Sequence, residues 1–174
     1  MALTSLPGAG AKLRATVLEA LITEVRPLYA RKTADETVNG SASLQNDDHL
    51  AIVLAASATY EIDVQLFYSS ASTPDIKFAL TFPTGATCSW APIGYKSDGT
   101  NFEAEFRTST WQAASGTSNA VAGTAATYDA ALIKGIIRVG STAGTLQVQW
   151  AQNTSNGSNT TVKADSSLVA RRLD

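Results

Sequence analysis

Gly144-Thr145-Leu146-Gln147-Val148-Gln149-Trp150-Ala151-Gln152-Asn153-Thr154-Ser155 alternates apolar and amide side chains as far as Trp150 and then breaks into polar residues. A period of two buries one face of an extended chain and wets the other, so this stretch predicts a half-buried strand of an antiparallel sheet ending in a turn. The same pattern is cleanest where Tyr60, Ile62, Val64, Leu66 and Tyr68 alternate with Thr59, Glu61, Asp63, Gln65 and Phe67. Ile76, Phe78, Leu80 and Phe82 repeat it, with shorter versions at Leu50/Ile52/Leu54, Cys88/Trp90, Phe102/Ala104/Phe106, Ile133 to Val139 and Leu168 to Ala170. Turn-forming clusters such as Asn39-Gly40-Ser41, Asn46-Asp47-Asp48, Pro83-Thr84-Gly85 and Asn156-Gly157-Ser158 separate them. About eight strands with turns between them predict a mainly β protein, a single antiparallel sandwich over 33–174. The Ala-, Ser-, Thr- and Gly-rich segment 113–128 reads as a long surface loop or a weak edge strand.

The period changes once, near the N-terminus. Leu13, Val17, Leu18, Leu21, Ile22 and Val25 recur at spacings of three and four, while Lys12, Arg14, Glu19 and Glu24 fall mostly elsewhere, which predicts an amphipathic helix over 11–26. Pro27 stops it. Residues 1–32 are therefore expected to form an arm and helix. So short a helix needs a surface for its apolar stripe, either an open end of its own sandwich or a partner. Leu13, Val17, Leu21 and Val25 are the candidate partner-binding residues on that stripe, joined by Trp111, which lies at a strand end beside the segment 113–128. Trp90 and Trp150 follow the apolar register and are expected in the core.

Composition limits the partners. A formal net charge of −2, with charged residues at 16% of 174, supplies no basic field for nucleic acid and no cationic stripe for a membrane surface. Partners are expected to be proteins. The lone Cys88 excludes an internal disulfide framework, and the lone His49 excludes a multi-histidine metal centre. With no signal-peptide pattern and no long apolar run, the chain is expected to be made in a cytoplasm.

Chemistry is sparse. Glu61/Asp63 and Glu103/Glu105 each place two carboxylates on one strand face, a spacing of roughly 7 Å that an inverting glycosidase tolerates, but charges alternating on a wet face are the ordinary way to keep a strand soluble. His49, Asp47 and Asp48 read as turn residues without the spaced ligands of a calcium loop. Arg26, Arg31, Lys32, Arg171 and Arg172 read either as solvated chain ends or as partners of acidic patches on another subunit. No catalytic residue, metal or cofactor is assigned.

Three stretches carry a resemblance: Ala30-Arg31-Lys32-Thr33-Ala34-Asp35-Glu36-Thr37-Val38, the strand 144–155 quoted above, and Thr160-Thr161-Val162-Lys163-Ala164-Asp165-Ser166-Ser167-Leu168. Together they resemble the small β-sandwich virion proteins of tailed phages that infect actinobacteria. The resemblance runs from about Ala30 to Arg172 and its motifs are structural. It implies a jelly-roll-like virion protein assembled in the host cytoplasm. The first role it implies is head decoration, a cement protein bound to the major capsid protein as a homo-oligomer, a trimer at a symmetry axis. The alternative is a minor tail or tail-fibre protein whose sandwich forms a host-binding tip.

Overall fold

A computed structural model describes residues 15, 18, 26–94, 115–125 and 128–174. Their strands, in chain order, are β1 (Leu28–Arg31), β2 (Glu36–Val38), β3 (Gln45–Leu54), β4 (Thr59–Ser69), β5 (Ile76–Thr81), β6 (Thr87–Ile93), β7 (Ser118–Val121), β8 (Asp129–Arg138), β9 (Gly144–Gln152), β10 (Thr160–Val162) and β11 (Ser167–Arg172). All ladders are antiparallel. The first sheet is built around β4, with β8 and then β6 on one side. On the other side β11 and β10 share the edge of β4 end to end, and β1 and β2 lie outside them. The second sheet runs β3-β9-β5-β7.

Alternation decides which face is buried. Tyr60, Ile62, Val64, Leu66 and Tyr68 of β4 are all buried, as are Ile76, Phe78 and Leu80 of β5 and Leu146, Val148 and Trp150 of β9. These inner faces form one hydrophobic core between the two sheets. Tyr68 and Phe78 meet edge to face across it, with ring centroids 5.9 Å apart, and the Tyr68 hydroxyl donates to the Ala122 carbonyl at 2.6 Å. Trp90 and Trp150 are buried as expected.

Trp90 fits because its cross-strand neighbour is Gly135, which in turn lies opposite Ile62. A Cβ at position 135 would stand 2.7 Å from both the Ser89 carbonyl oxygen and the Trp90 Cβ. Neither is the flexible end of a side chain, so Gly135→Ala must part β6 from β8. We expect it to cost about 1–3 kcal/mol, read as a lower urea midpoint with an unchanged slope.

Some expectations are refined. The segment 113–128 contributes β7, which among the described residues pairs with β5 at the edge of its sheet. The chain joins the first sheet at Leu28, inside the segment expected as arm, because β1 finds its ladder partner in β11 more than a hundred residues away. The helix expected over 11–26 lies, apart from Ala15, Leu18 and Arg26, outside the described residues, as does the strand at Phe102, Ala104 and Phe106.

Candidate functional site

Lys32 is the least expected residue of the core. It extends β1, donating its N–H to the Ser166 carbonyl and accepting from Asp165 N, both at 2.8 Å. The period of two that turns Ala30 inward therefore turns Lys32 inward as well, and its side chain is 0% exposed. This corrects its reading as a solvated chain end. A lysine is almost never fully buried unless paired. Here the ammonium donates to Glu36 Oε2 at 2.6 Å and to Asp47 Oδ2 at 2.8 Å.

Asp47 reaches the ammonium from the opposite sheet through an irregularity in β3. Between Asn46 and Ala51 that strand advances five residues while its partner β9 advances two, from Gln149 to Gln147, leaving three extra residues in a bulge. Asp47 Oδ1 closes the bulge, accepting the backbone N–H of His49 at 2.9 Å and of Leu50 at 3.0 Å. Gln147 closes the other side, its amide donating to the carbonyls of Asp47 and Leu50. Glu36 is held as firmly: Oε1 accepts from Gln45 Nε2 at 3.0 Å and Oε2 from Asp48 N at 3.1 Å. Asp47 thus forms the turn expected of it, but its own side chain is buried and faces a charge, while Asn46 and Asp48 stay exposed. The Lys32–Asp47 pair joins the two sheets along one edge of the core.

Glu36, Asp47 and His49 also bring three metal-ligating atoms within 4.8 Å of one another. The ammonium of Lys32 already occupies the cation's place between the two carboxylates, so a metal ion would have to displace a paired, buried charge. We read the cluster as a lysine held by two acids. His49 Nδ1 is buried with no hydrogen-bond partner.

A second polar cluster lies at the turn between β4 and β5. Asp75 adopts a positive φ of 48° and its Oδ1 accepts from Gly123 N at 2.9 Å, while Ser70 bridges the Asp75 carbonyl and the Thr160 hydroxyl. Burial raises the Asp75 carboxyl above its ordinary value, opposed by the Gly123 hydrogen bond. A carboxyl raised in the folded state takes up its proton more readily there than in the unfolded chain, so its ionisation removes stability as pH rises through the raised value. Asp75→Asn keeps the acceptor and tolerates the positive φ. It is expected to raise Tm at pH 7 and to leave Tm nearly unchanged near pH 3, as scanning calorimetry at the two pH values would show.

The other candidates are distributed differently. Glu61 pairs with Arg171 at 2.7 Å and Asp63 with Lys134, each across the outer face of the first sheet, so both carboxylates are committed to cross-strand ion pairs. Burial pushes the Cys88 thiol up to about 12, leaving it protonated and unreactive at neutral pH. Leu13, Val17, Leu21, Val25 and Trp111 lie outside the described residues, as do Glu103 and Glu105. Sequence reasoning missed the Lys32 cluster, because β1 is only four residues long and displays no clear period.

No family model matches the chain, and no curated protein matches it. Among solved structures, the chain is similar to "Structure of infectious bursal disease virus Gx strain", with 11% identity, a TM-score of 0.18, 84% of this chain covered and 40% of that one. The corresponding structure of the Gt strain gives 13% identity and a TM-score of 0.18, covering 85% and 41% of the two chains. The chain thus spans about two fifths of the length of the chains it matches, and likeness at that TM-score carries no argument about function.

Proposed function

We propose that the protein is a non-enzymatic structural component of a tailed-phage virion, a jelly roll that decorates the outer surface of the head by binding the major capsid protein as a homo-oligomer, most simply a trimer. The observation that carries this reading is the strand order. With β1 and β2 taken together as position 1, β10 and β11 as position 8, and β6 as an addition beside β8, the sheets run 1-8-3-6 and 2-7-4-5. Two interleaved Greek keys generate that order, and capsid domains use it. The three stretches that resemble actinobacterial phage virion proteins add to it, since they supply β1 and β2, β9, and β10 with the start of β11.

Leu28 lies opposite Ala170, and Leu173 N donates to the Thr59 carbonyl, so the entry of the chain lies beside its C-terminal residues and the end of β3. Toward that end Tyr29, Val53 and Leu173 are 65%, 69% and 56% exposed, large apolar groups that a bound neighbour would cover. Removing residues 1–25 leaves β1 and its ladder intact. We expect the truncated protein to keep its cooperative unfolding transition but to lose binding to particles lacking this component, measured by sedimentation with the full chain as control. Binding by the truncated protein equal to that of the full chain overturns the arm as anchor, and failure of the full chain to bind overturns head decoration.

A further inference from the structure

We propose that Lys32 and Asp47 form an intramolecular amide bond, a self-made crosslink between the two sheets. The reacting groups are already in contact: the Lys32 amine lies 2.8 Å from Asp47 Oδ2, and both side chains are fully buried. Holding an amine against a carboxyl in a dry, fixed site replaces a bimolecular encounter by a unimolecular one, with effective concentrations on the order of 10⁵ M or more. The surroundings match what the reaction requires. As Nζ attacks Asp47 Cγ, negative charge builds on Oδ1, which already accepts the N–H groups of His49 and Leu50 at 2.9 and 3.0 Å. Those two donors act as an oxyanion hole. Glu36 Oε2, 2.6 Å from Nζ, is the general base, and the donors on Oε1 and Oε2 hold it in place.

The step balances without any co-reactant. The new bond is Nζ–Cγ and the broken bond is Cγ–Oδ2. Of the three protons on the Lys32 ammonium one stays on the amide, and two pass through Glu36 to Oδ2, which departs as water. A positive and a negative charge are consumed together, so the product leaves no ion pair in the core. His49 adds a ring nitrogen within 4.8 Å of a carboxylate oxygen of each acid. Asp47 rather than Glu36 is the electrophile because Asp47 alone has two backbone donors on one oxygen, whereas the oxygens of Glu36 have one backbone donor between them.

Mass spectrometry of the purified, folded full chain tests this directly. The expected intact mass is lower than the sequence mass by one water. Trypsin, which cannot cut at a modified lysine, should give a peptide spanning 32–77 that lacks one water and is uncleaved at Lys32. A second cut after Glu36 should open the loop into two segments still joined through Lys32 and Asp47. Glu36→Gln, folded by circular dichroism, should keep the full sequence mass. An unmodified wild-type mass, a water lost elsewhere with Lys32 still cleavable, or a join between Lys32 and Glu36 overturns the proposal. A Glu36→Gln protein crosslinked as completely as wild type overturns the role of Glu36 as base.

Discussion

Replacing Lys32 by Met is expected to lower the unfolding free energy by about 3–5 kcal/mol, a large share of the roughly 5–15 kcal/mol that holds a domain of this size together. The substitution keeps most of the apolar stem but leaves Asp47, which is fully buried, and Glu36, whose side chain is 15% exposed, as carboxylates with neither the proposed amide nor the Lys32 ammonium to hold them. Two carboxylates then face each other with no positive charge between them. The internal control is Lys163→Met. Lys163 pairs with Asp35 at 3.0 Å, but the two side chains are 19% and 49% exposed, so losing that pair should cost about 1 kcal/mol or less. Urea unfolding of the two variants measures the difference. Equal losses would mean that the Lys32 cluster contributes no more than a surface ion pair.

Val64→Asp is expected to abolish the folded state. Val64 lies between Leu168 on β11 and Ile133 on β8, and all three are fully buried. The buried cation among the described residues, Lys32, is already taken by Glu36 and Asp47, so a carboxylate placed at position 64 is unpaired, and an unpaired buried charge belongs to the small class of substitutions costing more than about 4–5 kcal/mol. One residue away, Asp63 points to the opposite face and pairs with Lys134 across the half-exposed surface of the sheet. Asp63→Ser should therefore cost about 1 kcal/mol or less. Near-ultraviolet circular dichroism and thermal melts of the pair test the register of the central strand, and similar behaviour of the two variants contradicts it.

The contrast between these two sites shows what the amino-acid order reveals by itself. Val64 was legible because β4 is long, alternates without interruption and is wet on one face, so local periodicity and tertiary burial agree. The same holds for β8, and for β5 and β9 apart from the buried Ala79, Ala151 and Gln152. Strands β1, β2 and β10 have three or four residues each, too few to display a period, and they exist because distant partners complete their ladders. Lys32 was illegible for a related reason. Its burial depends on Asp47 arriving from the other sheet through a bulge, and a break in periodicity reads along the chain only as a polar turn. Edge strand β7, Ser118-Asn119-Ala120-Val121, has one residue of strong β preference, so loop and strand could not be separated until β5 was seen to pair with it.

The strand order and the exposed apolar side chains of Tyr29, Val53 and Leu173 beside the start of β1 are both what the proposed role, a small module covering a larger shell, calls for. Copy number separates head from tail, because a shell offers the same site many times and a tail tip only a few. Quantitative mass spectrometry of purified phage particles therefore tests the functional account most directly: it predicts this chain in numbers commensurate with the major capsid protein, in a fixed ratio from one preparation to the next. A handful of copies per particle, or none, would contradict head decoration.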